Sequence, residues 1–163
     1  MSEKTLQVKH EKVSEILDKV KRAKGITLVD YRGISVADDT KLRNEFRKEK
    51  VEYRVLKNRL LLRALNEAGL TGMDKVLEGP TAVAFSYDDA TTSARVTCDN
   101  LKKIPKLLVK AGIVEGKILN AAETVAVSAI PPFNVLVAQL LGLLTNPMRS
   151  LAVAVSEVAK QRA

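Results

Sequence analysis

The chain has 163 residues, of which 46% are hydrophobic, 28% charged and 4% aromatic, and its formal net charge is +8. This balance predicts a soluble protein with one domain, or a domain of about 130 residues plus an appendage, large enough to form a core without a stapling disulfide or metal. With one Cys and one His, neither an intramolecular disulfide nor a four-ligand zinc site can form, so we expect no metal and no cofactor.

Helical and strand patterns alternate along the first 120 residues. The N-terminus is charged and lacks the apolar segment of a signal peptide. Hydrophobic periodicity defines the elements that follow. In chain order they are helix Thr5–Ala23, strand Ile26–Tyr31, a helix from Ser35 to about Glu49, strand Val51–Leu56, helix Arg59–Ala68, strand Thr81–Ser86, a helix after Asp88-Asp89, and two short strands within Lys106–Leu119.

Polar residues precede three of these helices and are predicted to cap them. Ser35 and Asp38 have the spacing of a capping box. Asn58 is the predicted N-cap of the third helix, and the pair Asp88-Asp89 is predicted to cap the fourth, because side-chain oxygens there satisfy free amides and the helix dipole. Capping explains these carboxylates without a metal ion.

The alternation of elements predicts an α/β layered domain with a mixed sheet flanked by helices. Pro131-Pro132 indicates a boundary. The predicted organisation is therefore a basic α/β domain over residues 1–128, a proline-containing linker over 129–133, and an extended C-terminal helix over 134–163.

The predicted C-terminal helix carries two apolar blocks with helical spacing. The blocks are Leu136, Leu140, Leu143 and Leu144, then Met148, Leu151, Val155 and Val158. Pro147 is expected to kink or break the helix between them, because proline lacks the amide donor and clashes with the preceding turn. The continuous apolar part, near Val135–Leu144, is half of the ~20 residues that a membrane-spanning helix needs, so no transmembrane segment is expected.

Positive charge is concentrated at the start of the chain. Residues 1–63 contain 17 Lys/Arg and 10 Asp/Glu, a net charge of +7, whereas residues 64–163 contain 10 and 9. A localised excess of this kind is typical of a phosphate-binding surface. It leaves RNA, DNA and an anionic membrane open as partners, and a solvated basic face without a partner remains the alternative.

The chain contains no recognisable catalytic motif, whether a phosphate-binding loop, a dinucleotide-binding glycine motif, a zinc-protease motif or a nucleophile elbow. His10 falls on the polar face of the first helix, and Cys98 lies on a helix with no histidine nearby in sequence. We interpret them as a surface histidine and a small buried hydrophobe. The prediction is a protein that is not an enzyme, with a small α/β hydrolase or transferase as the least favoured alternative.

Four short motifs occur in a fixed order: Tyr31-Arg32-Gly33, Leu42-Arg43, Val55-Leu56-Lys57-Asn58-Arg59-Leu60-Leu61 and Gly79-Pro80-Thr81-Ala82. In order and spacing, and over its whole length, the chain resembles the bacterial large-subunit ribosomal protein L10 family. The resemblance implies a cytoplasmic, ribosomal protein at the base of the stalk. It also implies an N-terminal domain that binds large-subunit ribosomal RNA beside the neighbouring ribosomal protein L11, and a C-terminal helix that carries dimers of the acidic stalk protein. These dimers recruit GTP-bound translation factors.

Matching the motifs to this sequence gives the candidate RNA-binding residues Arg32, Gly33, Arg43, Lys57, Asn58 and Arg59. A glycine after a strand lets the backbone approach a phosphate, and the free amides at a helix start favour an anion. A simple turn at Gly33, a simple cap at Asn58 and a solvated face around Arg43 remain open.

The eight residues of the two apolar blocks are the candidate partner-binding residues, with two dimers expected. The alternative function is a basic protein outside the ribosome that binds nucleic acid or a membrane surface.

Overall fold

A computed structural model describes residues 3–70, 72–74, 76–104 and 106–162. The chain divides into two compact units, Met1–Ile130 and Pro131–Ala163. The first unit contains α1 (Glu3–Arg22), β1 (Gly25–Asp30), α2 (Val36–Lys48), β2 (Glu52–Val55), α3 (Asn58–Glu67), β3 (Ala82–Ser86), α4 (Thr92–Lys103), β4 (Leu108–Val114), β5 (Lys117–Asn120) and α5 (Ala121–Ser128), and the second contains α6 (Phe133–Arg162).

The strands form one sheet in the order β2-β3-β1-β4-β5. The layered α/β class is therefore confirmed, and the predicted elements recur within a few residues of their expected bounds. The mixed sheet is a wrong prediction, because all four strand pairs are antiparallel. Alternation of helices and strands does not fix strand direction, since a helix can return the chain to either end of a sheet. The helix α5, opened by a capping box at Asn120 and Glu123, was not predicted.

Successive residues of the central strands pack on opposite faces of the sheet, as the two-residue period of a strand requires. On one face, Leu28 and Phe85 belong to a core cluster with residues of α1 and α3. On the other face, Val29 and Ala84 pack in a cluster that includes Phe46 of α2. Each fully buried Val, Leu or Phe side chain contributes about 1.5–3 kcal/mol. Packing on both faces therefore holds the sheet in place as a support for the loops at its ends.

Of the predicted helix caps, the one at Ser35 is confirmed and the one at Asp88-Asp89 is wrong. The Ser35 hydroxyl accepts a hydrogen bond from the Asp38 amide at 3.2 Å, which confirms the N-cap of α2. The cap at Asp88-Asp89 is wrong, because α4 begins only at Thr92 and has no side-chain cap. The segment packs across the start of β1 instead: Lys24 Nζ donates to the Asp88 carbonyl at 2.9 Å, and a side chain at Gly25 would collide with the Ala90 carbonyl.

Helix α6 is continuous, with Pro147 inside it, so the predicted break at this residue is wrong. The proline removes one amide donor, but residues with good helix propensity lie within one turn on either side of it, Leu143 and Leu144 before it and Met148 and Arg149 after it. Just before the proline, the Thr145 hydroxyl donates to the carbonyls of Leu141 and Gly142 at 3.0 and 3.2 Å. Because the apolar residues continue past Pro147, Phe133–Lys160 would suffice by length and composition alone to cross a membrane, contrary to the length expected from the sequence.

Candidate nucleic-acid interface

Four chain segments meet at one end of the sheet because its strands are antiparallel. The last residues of β1 and β2 pair with the first residues of β3 and β4: Val29 and Val55 both pair with Ala82, and Asp30 pairs with Leu108. Five basic side chains lie in these strand ends or in the segments next to them, and we call them the basic end. They are Arg32, Lys57, Arg59, Lys106 and Lys110.

Arg32 lies across the turn that leads into β3. Its Nη2 atom is 2.9 Å from the position that a Cβ atom on Gly79 would occupy, so a side chain there would displace the guanidinium group. Gly79 also has a φ of +74°, a conformation that favours glycine. Gly33 has a φ of +75° and ordinary space around it, so backbone conformation is the reason for glycine there.

Asn58 holds the same turn from one side, and the prediction that it is the N-cap of α3 is wrong. The N-cap is Lys57, which makes no side-chain capping bond, and Asn58 is the first helical residue. The Asn58 Nδ2 atom donates to the carbonyls of Leu77 and Gly79 at 2.5 and 2.7 Å. These two carbonyls use both donors of the side chain, so the Asn58 side chain stabilises the turn rather than the helix end.

Lys110 holds the turn from the other side and was not among the predicted residues. Its side chain is only 13% exposed, and its Nζ lies 3.7 Å from a carboxylate oxygen of Asp30. The ammonium donates to the carbonyls of Glu78 and Pro80 at 2.7 and 2.8 Å and to the Thr81 hydroxyl at 3.0 Å. A lysine inside an otherwise apolar strand was the signal available in the sequence.

The remaining cations of the basic end, Arg32, Lys57, Arg59 and Lys106, are exposed. None of them forms an ion pair with another residue that the structure describes. Their charge is therefore available to an external anion. These four cations come from three segments that are separated by more than 20 residues along the chain, and the sheet brings them together.

Arg43 lies on α2 and is not part of the basic end. Its Nε donates to Asp39 at 2.8 Å, and its guanidinium carbon is 5.2 Å from the centre of the Tyr53 ring. The hydrogen bond with Asp39 raises the pKa of Arg43, although burial opposes this effect. Burial also raises the pKa of Tyr53 to about 12. Part of the charge of Arg43 is thus balanced within the protein.

All eight candidate partner-binding residues of α6 are exposed, from Leu136 at 40% to Met148 at 79%. At 100° per residue, the uninterrupted helix places them within roughly 140° of its circumference. Polar and charged residues such as Gln139, Arg149 and Lys160 lie outside this arc. An exposed apolar stripe of this length is typical of an interaction surface.

Comparison with known proteins gives matches over nearly the whole chain. The family model described as Ribosomal protein L10 matches residues 4–102. The large ribosomal subunit protein uL10 of Shouchella clausii is 42% identical over 159 residues, which are 98% of this chain and 96% of that protein. The uL10 protein of Bacillus licheniformis is 40% identical over 96% of this chain and 95% of its own length. That of Clostridium tetani is 38% identical over 98% and 92%. The family match covers α1 to α4, and the relatives continue into α6.

Proposed function

Since this chain belongs to the ribosomal protein L10 family, we propose that its α/β domain, residues 1–128, binds large-subunit ribosomal RNA at the base of the stalk, and that α6 anchors dimers of the acidic stalk protein. Membership of the family makes the chain a structural component of the large ribosomal subunit, located in the cytoplasm, and not an enzyme. The ribosomal identity expected from the four sequence motifs is confirmed.

The observation that carries the RNA proposal is the basic end. Four exposed cations there have no ion-pair partner among the described residues, and a rigid sheet fixes their spacing. Each phosphate that a cation neutralises releases counterions, which favours binding. Cations held at fixed positions can contact several phosphates of a folded RNA backbone at the same time. From the family resemblance alone, we propose that L11 is the neighbouring protein.

The stalk proposal depends on the exposed apolar stripe of α6. Amphipathic helices bind in grooves through apolar anchors three, four or seven residues apart, which lie on one face of the helix. The first block has its anchors at i, i+4, i+7 and i+8 and the second at i, i+3, i+7 and i+10, so each block presents one apolar face. Burial of one such side chain contributes about 1.5–3 kcal/mol, so four anchors can hold a dimer after the costs of association. Two blocks give two dimers, hence four copies of the stalk protein, which would recruit GTP-bound translation factors at high local concentration.

The RNA contact is tested in the full-length chain by replacing exposed cations of the basic end. Arg32→Ala and Lys57→Ala should each weaken binding to large-subunit ribosomal RNA and reduce the slope of log affinity against log salt. The reduction should be about 0.7–0.9 per lost phosphate contact, the range between single strands and a B-form duplex. Lys117→Ala is the matched control, since Lys117 is exposed at the opposite end of the sheet. Equal effects of all three changes would exclude the basic end as the binding surface.

The cellular location is tested by fractionation of a lysate. The protein should sediment with large ribosomal subunits at moderate salt. Recovery in the membrane or nucleoid fraction would favour the alternative, a basic protein that binds nucleic acid or a membrane surface outside the ribosome. The length of α6 makes the membrane fraction the more informative control.

A further inference from the structure

A groove with a volume of about 310 Å³ lies between α1, β2 and α3, beside the basic end. Its apolar wall includes Ile16, Val55, Leu60 and Phe85. Phe85 is fully buried beneath it, whereas Val55 is 46% exposed at the sheet's edge. The volume is at the lower limit of small-ligand pockets, which span about 300–1,000 Å³.

The rim of the groove is positively charged. Lys12 and Lys57 are exposed and form no ion pair with other described residues. Lys19 and Arg54 share one carboxylate, since both contact Glu52 Oε1, at 2.5 and 2.6 Å. Four cations thus surround the groove. Two carboxylates lie near them, Glu15 on the rim and Glu52 beside Lys19 and Arg54, so the net charge around the groove is positive. The complementary ligand is an anion with a compact apolar part.

Among the partners of a ribosomal protein, an unpaired RNA nucleotide has this composition. Its base has two apolar faces that could lie against Val55 and Leu60, and its flanking phosphates could reach the rim. Lys57 belongs to both the groove and the basic end, so an RNA backbone on that surface passes the mouth of the groove. An acidic amphipathic helix is the poorer fit, because it would need an extended row of apolar contacts rather than one compact patch.

We propose that this groove binds one unpaired nucleotide of the RNA whose backbone lies on the basic end. The inference rests on the proposed RNA-binding function and adds a recognition element to it. Proteins read unpaired RNA bases by stacking and by contact with their edges, whereas duplex RNA is recognised by its shape and backbone. The groove therefore provides a preference for RNA with an unpaired base, which the exposed cations alone cannot provide.

The test compares two valines with nearly equal exposure in the full-length protein. Val55→Asp places a carboxylate in the groove, and Val125→Asp places the same charge on α5, where Val125 is 48% exposed. The probes are large-subunit ribosomal RNA, a single-stranded RNA octamer and a fully paired RNA duplex. We expect Val55→Asp to weaken binding of the first two about tenfold, because it replaces the apolar contact of one valine with a carboxylate that repels phosphate. Duplex binding should change less than twofold, and Val125→Asp should leave all three affinities unchanged.

A second variant, Lys12→Gln, covers the case in which Val55→Asp fails to fold, since Lys12 is an exposed residue of the rim. It should weaken single-stranded RNA more than duplex RNA. If RNA binding depends on Arg32 but Val55→Asp or Lys12→Gln weakens all RNAs equally, the groove is not a nucleotide site, although the proposed function stands. If the wild type binds none of the three RNAs, or if Arg32→Ala leaves their binding unchanged, the proposed function itself fails. An octamer of glutamate that competes with RNA in the wild type but not in Val55→Asp would identify a peptide site and overturn the inference.

Discussion

Lys110→Met should destabilise the first unit although Lys110 lies at a surface end of the sheet. Methionine keeps most of the length of the side chain but removes the ammonium group. The change deletes three hydrogen bonds from a charged donor, to Glu78, Pro80 and Thr81, and leaves Asp30 without its cation. Hydrogen bonds to charged groups contribute about 1.5–3 kcal/mol each. Because water can replace part of this network, we expect a net loss of about 2–4 kcal/mol.

For a unit of this size, such a loss lowers the melting temperature by roughly 10 °C. The assay is thermal unfolding of the full-length protein followed by circular dichroism. Lys106→Met is the matched control, because Lys106 lies on the same end of the sheet but is exposed. Lys106→Met should reduce RNA affinity and leave the melting temperature unchanged. If Lys110→Met melts within about 2 °C of the wild type, the three bonds do not hold the turn as argued.

Two further predictions concern charge and assembly. Burial favours a higher pKa for Glu52, but the hydrogen bonds from Lys19 and Tyr87 outweigh it and hold the pKa below its usual 4.5. The stability that the carboxylate contributes is therefore present above pH 4.5 and is lost as the pH falls through the lowered pKa. Glu52→Gln should lower the denaturant midpoint at pH 7 and have little effect in acid. An equal loss at both pH values would contradict this prediction. For assembly, native mass spectrometry of the co-expressed complex should count four stalk-protein copies. Leu140→Asp should remove one dimer and Val155→Asp the other, and six copies in the wild type would refute the two-dimer proposal.

The parts of the fold that the sequence predicted correctly are governed by nearby residues. The Ser35 cap, for example, involves a residue only three positions away. The two short strands predicted within Lys106–Leu119 are also confirmed. Both residues of the turn between them, Glu115 and Gly116, have the positive φ typical of a tight hairpin.

The errors arose where distant parts of the chain compete for the same group. Asn58 has the side chain of an N-cap, but carbonyls 19 and 21 residues away use its donors. Lys110 was missed because two of its partners are backbone carbonyls about 30 residues away, and a carbonyl has no sequence signature. The basic end combines three segments through strand direction, which periodicity does not reveal. Only its cations were visible in the sequence, as a net charge.

The continuity of α6 through Pro147 sets the geometry of what binds to it. On one unbroken helix, the positions of Leu140 and Val155 are about 22 Å apart along the axis and about 60° apart around it. Two partners bound at these positions would therefore have a fixed distance and a fixed rotation relative to each other. A break in the helix would instead let them move independently. One residue inserted beside Pro147 would rotate the second position by about 100° relative to the first, although no anchor residue would be replaced. The arrangement of the bound partners would then depend on the number of residues between the anchors as well as on the anchor residues.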